Sequence, residues 1–102
     1  MNIETITSQI DDFILKLKPE TRARVIRVIE LLEKYENKLG MPFSKSIGNA
    51  LFELRIIGKE HIRIVYCFHK NTIFLLTVFN KKTSKIPRSE IELAKKRRKM
   101  LV

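Results

Sequence analysis

The sequence predicts an α+β fold: an N-terminal helical hairpin packed on a small antiparallel sheet of three to four strands, followed by a basic C-terminal helix. Three observations carry this prediction. Between Leu51 and Lys82, the runs LFELRIIG, HIRIVYCFH and TIFLLTVFN are split only by short polar breaks at Gly58-Lys59-Glu60 and Lys70-Asn71. Such β-branched and aromatic runs with short polar breaks read as consecutive strands joined by tight turns. From Ile3 to Leu39 the apolar residues recur instead at helical spacing, and beyond Pro87 the chain closes on a helical pattern dense in Lys and Arg.

In chain order, Ile3, Ile6, Ile10, Phe13, Ile14 and Leu17 share one helical face, with Asp11, Asp12 and Lys16 off it. Only Met1 to Glu4 are available ahead of the body of this helix, so an N-terminal strand is expected to be absent or vestigial. Pro19 suits the first turn of a second helix, with Glu20 beside it at the positive end of the helix dipole. Val25, Val28, Ile29, Leu32, Tyr35 and Leu39 form the second stripe, and Gly40 is its expected stop. A connection this short implies an antiparallel pair covering the sheet. Met41 to Ala50, containing Pro42, Gly48 and Asn49, reads as an irregular loop.

In the first strand Phe52, Leu54 and Ile56 alternate with Glu53 and Arg55; in the second, Ile62, Ile64, Tyr66 and Phe68 alternate with Arg63, Val65 and Cys67. The third is apolar on both faces, as a strand covered on each side would be. One sheet face is therefore expected to be core, with Phe13, Val25, Ile29, Leu32, Leu54, Ile64, Tyr66, Leu75 and Val78 within it. The other face carries Arg55 and Arg63. Past Pro87, Ser89-x-x-Glu92 has the form of a capping box, and Ile91, Ala94, Arg98 and Leu101 share one face of the last helix. Arg98 belongs at the edge of that face, its stem packed and its head in water.

The 102 residues are expected to form a single domain with a modest core. The one cysteine, Cys67, lies within a strand and reads as a small buried hydrophobe, which suits a reducing compartment. No apolar run approaches the ~20 residues of a membrane span, and the acidic N-terminal stretch does not resemble a signal peptide, so a cytoplasmic protein without membrane contact is expected. The net charge of +10 is unevenly placed: residues 1–40 balance seven basic against seven acidic side chains, whereas residues 81–102 hold nine basic and two acidic. A positive field at one end suits an anionic polymer, although charge alone does not choose between RNA, DNA and an acidic protein.

A lone strand arginine is usually a solvated residue. Arg55 and Arg63 on adjacent strands, with Lys81 and Lys82 ending the next, instead suggest an anion site. Two histidines and one cysteine without ligand spacing argue against zinc, three glycines provide no phosphate loop, and the carboxylates lie mostly on helices. No metal or cofactor is therefore expected. Metal-free phosphodiester cleavage is possible on RNA, whose ribose 2′-OH is an internal nucleophile beside the scissile phosphate.

The order ALFELRI, a turn, IRIVY, then VFNKKTSKIPRSEIELAKKRRK resembles the RelE/HigB superfamily of toxins, and most of all its phage Gp49-like HigB branch. The resemblance covers roughly Thr21 to Lys99. It implies the toxin of a toxin–antitoxin pair: a metal-independent endoribonuclease that cleaves messenger RNA on the translating ribosome and is neutralised by a helix-turn-helix antitoxin. By the same comparison Arg63 matches the phosphate-gripping arginine, Arg55 a basic strand position used in catalysis by some members, and Lys81 and Lys82 the basic pair after the last strand. Glu53 departs from members that carry a second lysine on that strand, and is expected instead to orient Arg55 or to act as a base. The C-terminal tyrosine or histidine of some ribonucleases in the superfamily is missing here, which leaves the acid and base unassigned, with His69 as fallback. Lys45, Lys85, Arg88, Lys95, Lys96 and Lys99 are the expected nucleic-acid contacts. The ParE branch, which binds DNA gyrase without catalysis, is the main alternative; a small RNA-binding domain is disfavoured by the lack of aromatic stacking residues on the basic face.

Overall fold

A computed structural model describes all residues from Met1 to Val102. Its elements are β1 (Asn2–Thr5), α1 (Ser8–Leu15), α2 (Pro19–Tyr35), a 3₁₀ turn (Glu36–Lys38), β2 (Ser44–Gly48), β3 (Leu51–Ile56), β4 (Ile62–His69), β5 (Thr72–Asn80) and α3 (Arg88–Arg98). The class is α+β as expected, with a five-stranded mixed sheet in the order β1-β5-β4-β3-β2. The three predicted strands form its centre and pair antiparallel with one another. Lys70 and Asn71 both take positive φ, the conformation that a two-residue hairpin turn requires. No helix is long and apolar enough to cross a membrane.

Both additional strands lie where the sequence reading placed something else. Asn2–Thr5, where a strand was expected to be absent or vestigial and Ile3 to open the helical stripe, pairs in parallel with β5 through Ile3↔Ile73 and Thr5↔Leu75. Ile3 and Ile6 still pack on the core, so their spacing reports burial on a strand and its exit rather than a helical stripe. Ser44–Gly48, expected as loop, pairs with β3. Its Ser-Lys-Ser-Ile-Gly sequence has almost no apolar alternation; the exposed backbone edge of β3 supplies the order instead. Both are edge strands whose hydrogen-bond partners are set by the fold rather than by their own pattern.

The helical hairpin packs on one sheet face. Val25, Leu32, Leu54, Ile64, Tyr66 and Leu75 are fully buried there, while Phe13, Ile29 and Val78 are half-buried against the same cluster. Strict alternation would send Leu75 and Val78 to opposite faces. A bulge resolves this: Val65 pairs with Thr77 but Tyr66 pairs with Leu75, so Leu76 is the extra residue. Leu76 and Phe79 thereby face the other side, with Leu51, Val65, Cys67 and Ala94. That second face is no open surface, because α3 covers its Cys67–Leu76 end.

Helix boundaries differ in detail. α2 stops at Tyr35, five residues before Gly40, because Glu36 takes φ 53° and breaks the helical path. α3 starts at Arg88 after Pro87, two residues too early for Ser89 to cap it, and no side-chain cap forms. Arg98 does sit at the helix edge, where its Nη1 donates to the Asn49 carbonyl.

Candidate functional site: a cationic cleft at the β4–β5 end

The arginine pair is set by sheet register. Arg55 and Arg63 are direct cross-strand partners on β3 and β4, and Glu53, two residues before Arg55, shares their face. Two guanidinium groups side by side repel, and Glu53 compensates both. Its Oε1 lies 3.6 Å from Arg55 Nε and its Oε2 lies 3.6 Å from Arg63 Nε. Glu53 and Arg63 are almost wholly buried, with side-chain exposures of 3% and 5%, whereas Arg55 keeps 24%.

These pairs are ionic contacts rather than hydrogen bonds. Glu53 Oε2, Arg55 Nε and Arg63 Nε are all buried without a hydrogen-bond partner. Arg63 uses Nη1 instead, donating to the carbonyls of Ile56 at 3.3 Å and Ile62 at 3.0 Å. These bonds fix the guanidinium plane across the β3–β4 turn. Burial lowers the Arg63 pKa below its ordinary value; Glu53 opposes that shift and Arg55 adds to it.

Arg63 opens into a cleft of about 240 Å³ lined also by His61, Lys81, Lys82 and Thr83. The backbone brings the two sides of this cleft together. Ile62 pairs with Asn80, and one step further the Lys81 N–H donates to the His61 carbonyl at 2.8 Å. No carboxylate lines the cleft. It can therefore bind an anion through three cationic side chains drawn from two chain segments. No three His, Cys, Asp or Glu side chains gather as metal ligands anywhere in the chain.

Of the four residues expected to converge, the structure thus brings Arg63, Lys81 and Lys82 into one cleft and leaves Arg55 outside it. Arg55 turns toward Met41, with Nη1 3.7 Å from the sulfur. It lines a separate apolar slot at the sheet edge with Arg24, Arg27, Phe43 and Ile57. Lys45 stands on β2 opposite Glu53, exposed at the edge of the same face.

The expected nucleic-acid contacts divide. Lys95, Lys96 and Lys99 line a hollow with Asn49, Glu92 and Arg98, where Lys95 also pairs with Glu92 at 3.7 Å. Lys85 and Arg88 are exposed on the connection into α3 and its first residue. Arg97 belongs to none of these surfaces. It donates from Nη1 to the Leu76 carbonyl at 2.8 Å and from Nη2 to Gln9 Oε1 at 2.6 Å, tying α3 to β5 and α1.

His69 lies at the far end of β4 from Arg63, six residues and roughly 20 Å along the strand. Its Nε2 is 3.0 Å from the Val102 carbonyl oxygen, so it anchors the C-terminus. The histidine in the cleft is His61, which sequence reasoning passed over. The available signal was its position two residues before Arg63, which puts both on the same strand face.

A family model described as "Phage derived protein Gp49-like (DUF891)" matches residues 12–99, most of the chain. This protein belongs to that family. The match runs from within α1 to the first residue after α3, so the cleft of the Gp49-like chain and its basic helix both fall inside it. A search of curated proteins finds no significant match.

Proposed function

We propose that this Gp49-like protein is a RelE/HigB-type toxin: an endoribonuclease that cleaves messenger RNA on the translating ribosome, using its own side chains, and is neutralised by a cognate antitoxin. The observation that carries the reading is the arrangement around Arg63. A buried, backbone-fixed guanidinium faces a solvent-open cleft with two lysines and no carboxylate. Membership of the Gp49-like family is consistent with a toxin-like protein.

The chemistry follows from the substrate. In RNA the 2′-oxygen attacks its own 3′-phosphate, and extra negative charge collects on the phosphoryl oxygens in the transition state. With Nη1 tied to the Ile56 and Ile62 carbonyls and Nε turned to Glu53, the Arg63 guanidinium keeps Nη2 to donate to a phosphoryl oxygen, and because β3 and β4 hold it in place little reorganisation is needed when the charge develops. Lys81 and Lys82 add mobile positive charge on the opposite wall. Arg55, reached only through Glu53, then acts as a positioning residue for Arg63. Lys45, Lys85, Arg88, Lys95, Lys96 and Lys99 hold the longer polyanion by charge, a role that tolerates scattered directions.

Purified protein incubated with translating ribosomes tests the reading, with the 5′ and 3′ ends of the message mapped before and after. New ends that Arg63→Ala abolishes are expected. Intact message beside blocked gyrase supercoiling would replace this reading with the ParE-type one.

A further inference from the structure

We propose that His61 is the general base of the cleft, removing the 2′-hydroxyl proton during cleavage. The inference rests on the ribonuclease reading and names the group which that reading lacks.

A general base needs a lone pair basic enough to take the proton. Arg63, Lys81 and Lys82 in their charged forms donate hydrogen bonds and accept none. The Thr83 hydroxyl, which donates to the Lys85 carbonyl at 2.8 Å, keeps lone pairs but is far too weak a base to hold a proton near neutral pH. Among the cleft-lining side chains, that leaves the imidazole of His61 as the proton acceptor. Histidine is also the side chain whose charge changes nearest neutrality, which suits a base working at cellular pH. Its place is fixed by structure rather than chance: His61 immediately precedes β4, its carbonyl accepts the Lys81 N–H, and its side chain lines the cleft beside Arg63. The charged groups around it are Arg63 from β4, Lys81 and Lys82 from the chain after β5, and Lys59 and Glu60 from its own turn. The last two line a different groove with Lys18 and Glu20.

The step balances without a co-reactant. The neutral imidazole takes the 2′-OH proton as O2′ bonds to phosphorus. The bond from phosphorus to O5′ breaks, and O5′ takes a proton from the Lys82 ammonium. The products are a 2′,3′-cyclic phosphate and a 5′-hydroxyl end; the imidazolium then loses its proton to water and the lysine regains one.

The test is single-turnover cleavage of a synthetic message on translating ribosomes at saturating protein, across pH, for wild type, His61→Ala, Lys82→Ala and the control His69→Ala. His61→Ala is expected to lose ~10²-fold or more in saturated rate, to lose the acidic limb of the profile, and to regain rate with added imidazole. Its binding should stay within about threefold and His69→Ala within about twofold of wild type. Replacing O5′ of the scissile bond by sulfur provides a leaving group that needs no proton. That substrate should relieve Lys82→Ala and leave the His61→Ala defect in place. Cleavage by His61→Ala within about fivefold of wild type, or its rescue by the sulfur substrate, would overturn the assignment while the ribonuclease reading stands. Failure of wild type to form a cyclic phosphate would overturn both.

Discussion

Arg55 and Arg63 face each other across β3 and β4, and one carboxylate, Glu53, lies 3.6 Å from both. Two cations and one anion leave a net positive charge on the sheet face, with the buried member fixed and the exposed member able to move. Glu53 is therefore a structural counterion before it is anything else.

Removing that counterion should be costly. Glu53→Gln leaves the buried Arg63 guanidinium without compensation, a situation that typically costs about 3–5 kcal/mol. Arg55, being partly exposed, contributes little to that loss. Urea denaturation should show the drop in midpoint, and a loss below about 1 kcal/mol would mean that Arg63 is solvated in the folded protein.

Arg63→Lys separates charge from geometry. The ammonium can still face Glu53 and a carbonyl, so stability should stay within about 1.5 kcal/mol of wild type, but the Nη2 donor that the two Nη1 bonds hold toward phosphate is gone. Growth arrest on induced expression should disappear at unchanged protein level. Arg63→Ala should also abolish arrest, though with a stability penalty, because the residue is buried rather than on an open face. Full toxicity of Arg63→Lys would place the phosphate-binding group elsewhere.

Docking and chemistry should come apart by mutation. Neutralising Lys95, Lys96 and Lys99 should weaken RNA or ribosome binding and flatten its salt dependence, by up to ~0.9 in log–log slope for each phosphate no longer neutralised. Saturated cleavage should stay nearly intact. Neutralising Lys81 and Lys82 should instead lower the saturated rate with little change in binding. Arg97 is left out of the first set: Arg97→Ala unties α3 from β5 and α1 and should lower the thermal midpoint. The opposite assignment of rate and affinity losses would move the reactive centre to α3.

Alkaline pH provides a check on the core. The Tyr66 hydroxyl is 2.5 Å from Ser44 Oγ, both buried, and burial raises the Tyr66 pKa above its ordinary 10.0 despite that hydrogen bond. Burial likewise raises the Cys67 thiol above 9.0, against the pull of Arg98. Both groups fold in the neutral form with raised pKa. Their contribution is thus fully present below the unfolded values and is lost as pH rises through the folded ones. Stability should hold to about pH 9 and then fall; Tyr66→Phe should lose part of that slope, while costing ~1–2 kcal/mol at neutral pH through the stranded Ser44 hydroxyl. Equal alkaline slopes for the two proteins would show that Tyr66 is not the titrating group.

Much of this was determined by local sequence. The alternation in Leu51–Lys82 fixed three strands, their faces and the Arg55–Arg63 juxtaposition, because side-chain direction in a strand has period two. The helical stripes fixed Val25, Val28, Ile29 and Leu32 as residues of α2 that reach the core, whereas Tyr35 of the same stripe is exposed. Tertiary structure decided the rest. The edge strands β1 and β2 exist because an exposed strand offers unpaired backbone groups, a property of the neighbour and not of Asn2–Thr5 or Ser44–Gly48. The Leu76 bulge decided that Leu75 and Val78 share a face. Register and the cross-strand step from Asn80 to Lys81 decided that His61, rather than His69, enters the cleft, while the sheet edge drew Arg55 out of it. His61 and Lys81 are distant in sequence, and only the pairing of β4 with β5 makes them neighbours.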